Sequence, residues 1–151
     1  MIQRIQSLYL LLGALVLATL VTMLRGLWEM PSTEVFPGYA LTVKVLGGLV
    51  AILAFAAIFL NRDPRFPKKM KPGLKRQRKV VVAVQVLEVL FLLVFFGGLY
   101  AAEALPLLSD VGGIATLLMP VVAYGFFYLA RRGIDRDIRE LEKQDQFRLR
   151  D

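Results

Sequence analysis

The chain contains no cysteine and no histidine among its 151 residues. The first absence removes disulfides, thiolate nucleophiles and cysteine-based zinc sites, and the second removes the commonest general base and imidazole ligation of haem or zinc. No Walker loop, dinucleotide fingerprint, nucleophile elbow, metal-binding pair or inward carboxylate dyad is present either. No catalytic residue, cofactor or metal site is therefore expected, and the chain reads as non-enzymatic. Acidic residues are also scarce, twelve against nineteen Lys and Arg, for a net charge of +7. Internal repeats of 20 to 50 residues and low-complexity tracts are absent.

What remains is apolar. Hydrophobic residues make up 57% of the chain and the mean hydropathy is +0.60, too high for an ordinary soluble domain. The apolar residues form four runs, at 5–24, 39–60, 80–98 and 111–130. At 1.5 Å per residue each covers about 28 to 33 Å, the thickness of a bilayer's hydrocarbon core. The first run is longer than the apolar region of a secretory signal and lacks a small-residue cleavage site after it, so it is expected to be retained.

The charges are sorted by connection. Residues 61–79 carry nine Lys and Arg against one Asp, and seventeen of the nineteen cations fall at Arg4, in that loop or in the tail from Arg131 onward. The other two connections hold only Arg25. Cytoplasmic loops carry such an excess, so the expected topology has both termini inside. The same rule accounts for the high pI, so nucleic acid is not an expected partner. The fold class is all-α: an integral membrane four-helix bundle over 1–130, with a short cytoplasmic C-terminal helix over 131–151.

Pro64, Pro67, Pro72 and Gly73 are expected to prevent a continuous helix in 61–79 and to leave its cations extended along the membrane surface. The tail reads as a helix running on from the fourth span, since Asp135 and Arg139, and Arg136 and Glu140, stand one turn apart. Ile134, Ile138 and Leu141 give it a narrow apolar stripe that could dock on the bundle, the membrane surface or a partner helix, the first being the cheapest. On the opposite side, Trp28, Tyr39 and Tyr100 sit where interfacial aromatic belts form.

Two ionisable residues lie inside spans. Lys44 is about 7 Å from the outer end of its run, close enough to snorkel to water or reach Glu34 or Glu103. Glu88 is about 12 Å from the inner end of the third run, near the midplane, with Gln85 one turn away on the same face. Counting depth from the same surface puts Tyr9 and Tyr124 within about a turn of them, with Tyr128 nearby, which defines a polar cluster of Gln85, Glu88, Tyr9 and Tyr124. In one role a protonated Glu88 hydrogen-bonds a neighbour and fixes helix register; in the other it forms a proton or substrate site. Pro120 is expected to bend the fourth span, because the Thr116 carbonyl loses its usual N–H. Ala14, Ala18, Gly47, Ala51 and Ala54 are small residues at helical spacing that permit close helix packing, within the bundle or between copies. Ser109 and Asp110 are exposed hydroxyl and carboxylate neighbours, and they lack a base.

The opening Met1-Ile2-Gln3-Arg4-Ile5-Gln6-Ser7-Leu8-Tyr9-Leu10-Leu11-Leu12 resembles the start of a bacterial family of small four-span membrane proteins classed as a domain of unknown function. Leu129, Ala130, Arg132, Ile134, Asp137, Asp145 and Arg148 resemble that family's segment after the last span, although Arg131 and Gln146 replace an expected asparagine and arginine. The resemblance implies an inner-membrane location and no assigned activity. It directs attention to the cytoplasmic membrane surface, where Arg4, Lys75, Arg76, Arg78, Lys79, Arg131 and Arg132 would meet anionic lipid headgroups or another membrane protein. An accessory, assembly or scaffolding role follows as the leading expectation, and a small proton-coupled transporter or channel subunit using Glu88 as the alternative. The sequence sets no oligomeric state.

Overall fold

The computed structural model describes residues 2–23, 37–60, 70–101 and 111–148, with side chains described for 5–22, 37–60, 73–101 and 114–143. These residues form four helices: α1 (Ile2–Met23), α2 (Tyr39–Phe59), α3 (Met70–Ala101) and α4 (Val111–Arg148). All four are long and apolar enough to cross a membrane. Gly38 opens α2 in a left-handed conformation, φ 96°, which costs a residue without Cβ nothing. Its carbonyl accepts the Thr42 amide at 2.9 Å and closes the first turn.

The helices are arranged in a ring in chain order, α1 against α2, α2 against α3, α3 against α4 and α4 back against α1. Each neighbour runs antiparallel. The start of α3 meets the end of α2 through Gln77 and Ala57, its other end meets the start of α2 through Phe95 and Tyr39, and the start of α1 meets the far part of α4 through Gln6 and Asp137. One end of the bundle therefore collects the beginning of α1, the end of α2, the beginning of α3 and the charged part of α4.

Two expectations need correcting at this end. Residues 70–79 are helical rather than extended, because α3 begins at Met70. Pro72 is then its third residue, where a helix has no acceptor for the N–H that proline lacks, so the ring initiates the helix instead of breaking it. The charged tail forms no short helix of its own but runs on from the fourth span, as its pair spacing predicts: α4 is continuous over 38 residues, through Pro120. At 1.5 Å per residue α4 is about 57 Å long and α3, with 32 residues, about 48 Å, so both outrun a hydrocarbon core of about 30 Å.

Buried positions recur in steps of three and four residues, the packing of a left-handed bundle. On α3 they are Leu74, Gln77, Val81, Val84, Glu88, Phe91, Phe95 and Leu99. On α4 they run from Thr116 through Ala123, Phe127, Ala130 and Ile134 to Asp137. Within the apolar stretch, water supplies no drive for one helix to cover another, so close packing must do so. Phe91 and Phe95 stack at 5.8 Å, and Gly47 lies against Val21 of α1 and Phe91 of α3, where a Cβ would clash. Leu74 and Ile134 are buried beyond that stretch, where water is the alternative and each burial contributes about 1.5 to 3 kcal/mol.

Tyr39 departs from its expected role as an interfacial anchor. It is buried, its hydroxyl donates to the Phe95 carbonyl at 2.8 Å, and its ring fills the space that a side chain at Gly98 would occupy. Tyr100, by contrast, is 74% exposed. Trp28, Glu34, Glu103, Ser109 and Asp110 lie outside the described residues.

Candidate functional site

Glu88 is placed by the α3 stripe at the middle of the bundle, fully buried, with neither carboxyl oxygen hydrogen-bonded to any described residue. Gln85, one turn nearer the charged end, is 5% exposed. Its Oε1 accepts from Arg131 Nη1 at 3.1 Å, whereas its Nε2 has no partner among the described residues. The arrangement is a ladder: a cation just past the apolar run of α4, an amide one step inward, and a carboxyl at the centre.

Of the two tyrosines expected beside this pair, Tyr9 has a ring partner on α4. The Tyr9 ring stacks on Phe126, with centroids 6.3 Å apart and planes 22° from parallel. Tyr124 is half-buried. Among the described residues neither hydroxyl bonds Glu88 or the Gln85 amide nitrogen. Tyr128 is exposed on the outside of the bundle. Lys44 is half-buried, and both carboxylates proposed to meet it lie outside the described residues.

At the charged end, α3 and α4 are tied together by carboxylates of α4. Asp135 accepts from Arg78 Nε at 2.5 Å and lies 3.8 Å from Arg131 Nε, while Glu142 stands 3.5 Å from Lys75 Nζ. The expected Arg136–Glu140 pair forms at 3.2 Å. Arg139 does not reach the Asp135 carboxylate; its Nε donates to the Asp135 backbone carbonyl at 3.2 Å. Arg76, Lys79 and Arg132 are exposed, with no ion pair among the described residues. Arg4 lies in α1, with its side chain outside the description.

Three buried polar side chains at this end were missed in the sequence. Gln6, 2% exposed, donates from Nε2 to Asp137 Oδ2 at 2.7 Å, and Asp137 is itself 8% exposed. Gly133 makes room for them, since a Cβ there would lie 2.8 Å from Gln6 Cγ. Gln77 donates to the Ala57 carbonyl at 3.1 Å and closes the end of α2. Their signal was the three-and-four spacing itself, which runs past the last apolar residue on both α3 and α4.

The match to known families covers the same ground as the bundle. Residues 2–145 match the family described as a domain of unknown function, DUF4293. The chain belongs to DUF4293. No curated protein and no solved structure gives a match. The DUF4293 match begins at the first residue of α1 and ends three residues short of the end of α4, so the charged projection belongs to the family domain along with the apolar bundle.

Proposed function

We propose that this DUF4293 chain is a non-enzymatic accessory, assembly or scaffolding component of the bacterial inner membrane, with both termini and the charged end of the bundle in the cytoplasm. The observation that carries the reading is the projection of α3 and α4 beyond their apolar stretches. Between them, residues 73–79 and 131–143 hold nine cations and four carboxylates. Arg132, Arg136, Arg139 and Lys143 line one groove along α4, with Glu140 the one acid among its described lining residues. A cationic surface held on rigid helices next to a bilayer suits an acidic partner or anionic headgroups.

Crosslinking in native membranes followed by mass spectrometry tests the role. A specific neighbour should be captured repeatedly, and Arg132→Glu with Arg136→Glu should abolish its capture while the bundle stays folded. Recovery of the chain alone with crosslinkers of several lengths would defeat the reading. The orientation is separately testable, because the chain has no cysteine and accepts single reporters. Lys143→Cys should react with an impermeant maleimide only after the membrane is opened, and Tyr100→Cys before.

One observation favours a second reading. A fully buried carboxyl without a hydrogen-bond partner at the centre of a bundle suits a small proton-coupled transporter or channel subunit, in which Glu88 exchanges a proton, Gln85 and Tyr124 assist binding and Pro120 permits movement. Glu88→Gln separates the two. A transporter loses proton-linked flux in liposomes with its fold intact; a scaffold keeps its neighbour.

A further inference from the structure

We infer that the cleft between the projecting parts of α3 and α4 is a binding site for the headgroup of an anionic phospholipid. Lys75, Arg78 and Lys79 of α3 face Asp135, Arg139 and Glu142 of α4 across a space of about 580 Å³, with Ile138 as its apolar contribution. That volume lies in the range of small-molecule sites. The inference rests on the membrane placement proposed above and needs no protein partner.

Charge selects the ligand. Among the described residues the cleft lining holds four cations and two carboxylates, and each carboxylate is already engaged, Asp135 by Arg78 and Glu142 by Lys75. Lys79 has no hydrogen bond or ion pair among the described residues. Arg139 uses its Nε on a backbone carbonyl, and its other N–H groups have no described partner. An excess of two positive charges therefore faces the cleft, and a phosphodiester supplies acceptor oxygens for charge-assisted bonds from both side chains.

Depth selects a lipid over a soluble phosphate. Lys79 immediately precedes the apolar run 80–98, and Asp135 follows the run 111–130 by five residues. At helical rise both lie within about 8 Å of the hydrocarbon boundary, and the polar layer of one leaflet is roughly 5 to 8 Å deep. The inner rim of the cleft is thus level with phosphate groups already concentrated there by the bilayer, and its outer rim near Glu142 opens to water.

The test titrates phosphatidylglycerol into the purified chain in phosphatidylcholine nanodiscs and reads bound lipid by native mass spectrometry. Three proteins are compared: the native chain, Lys79→Gln with Arg139→Gln in the cleft, and Arg132→Gln with Lys143→Gln on the outer groove of α4. The two variants lose equal charge. The expected result is tight retention of one anionic lipid, weakened about tenfold by the cleft pair and by less than about twofold by the outer pair. Equal weakening by both pairs would mean diffuse attraction and overturn the site, as would equal retention of phosphatidylcholine. Displacement of the lipid by millimolar glycerol phosphate would assign the cleft to free phosphate instead. If the cleft variant does not fold, photoactivatable phosphatidylglycerol on the native chain decides. Crosslinks within 75–79 and 135–142 support the site, and crosslinks confined to the apolar faces sink it. None of these outcomes bears on the crosslinked neighbour sought above, so failure of the headgroup site and failure of the scaffolding role are distinguishable.

Discussion

Glu88→Met should make the bundle more stable. Methionine is unbranched and of similar length, so it can occupy the same space with little rearrangement. In the native chain that space holds a fully buried carboxyl with two oxygens unpaired among the described residues. A buried polar group left unsatisfied costs about 1 to 3 kcal/mol. The reference state reduces the gain, because an unfolded membrane chain keeps its helices in an apolar medium where a carboxyl finds partial relief. The lower part of the range, about 1 to 2 kcal/mol, is therefore the expected gain. Glu88→Gln should gain nothing, since an amide in the same place has as many unmet bonds. Denaturant titration in mixed micelles, with native, Met and Gln chains side by side, measures all three. A loss of 1 kcal/mol or more in the Met chain would refute the reasoning, because it would mean that the carboxyl stabilises the bundle through bonds it makes. The predicted gain would show instead that Glu88 is carried at a cost to stability.

Adjacent glycines give a second comparison. A Cβ at Gly98 would meet the Tyr39 ring, and one at Gly97 meets nothing within 4 Å, so Gly98→Ala should lose about 1 to 3 kcal/mol while Gly97→Ala stays within about 0.5 kcal/mol of native in the same titration. Asp137→Ala leaves the Gln6 amide without its 2.7 Å acceptor and should cost about 1 to 3 kcal/mol, whereas Asp137→Asn retains an acceptor and should cost less than half as much. Arg78→Ala should cost about 0.2 to 1 kcal/mol, because the pair with Asp135 is 48% and 29% exposed, and the loss should shrink at high salt. Arg76→Ala, without an ion pair among the described residues, should show no such salt dependence.

The number of helices and their apolar centres were legible in the sequence because hydropathy is a sum over some twenty residues and survives local detail. Boundaries were less so. Pro72 stops a helix at most positions and starts one at its first turn, and which applies depends on where α3 begins, a matter settled by Leu74 and Gln77 packing inward. Depth in the bundle was also legible, since rise per residue is fixed; rotation about each axis was not. Tyr9 stands at the right level for Gln85 and meets Phe126 instead, and Tyr39 stands at the level of an aromatic belt and turns inward. Arg131 was read as a surface cation only, but a long side chain leaving the helix near its last apolar turn can reach back to Gln85 as well as sideways to Asp135.

The same helices carry two different outer surfaces around one continuous interior. On α3 the outward positions are Arg76, Lys79, Ala83, Val86, Leu90, Leu93, Gly97 and Tyr100, all exposed and spaced by threes and fours. The inward stripe does not change character where the outward one does, since Leu74 and Gln77 are as buried as Phe91 and Phe95. From Lys79 to Tyr100 is about 32 Å along the helix, the thickness of a hydrocarbon core with a cation at one edge and a tyrosine at the other. The solvent boundary is thus written on the outer face alone, and the packing that holds α3 to α4 crosses it without a joint. A ligand or partner that pries the charged projections apart must therefore work against the same stripe that buries Glu88.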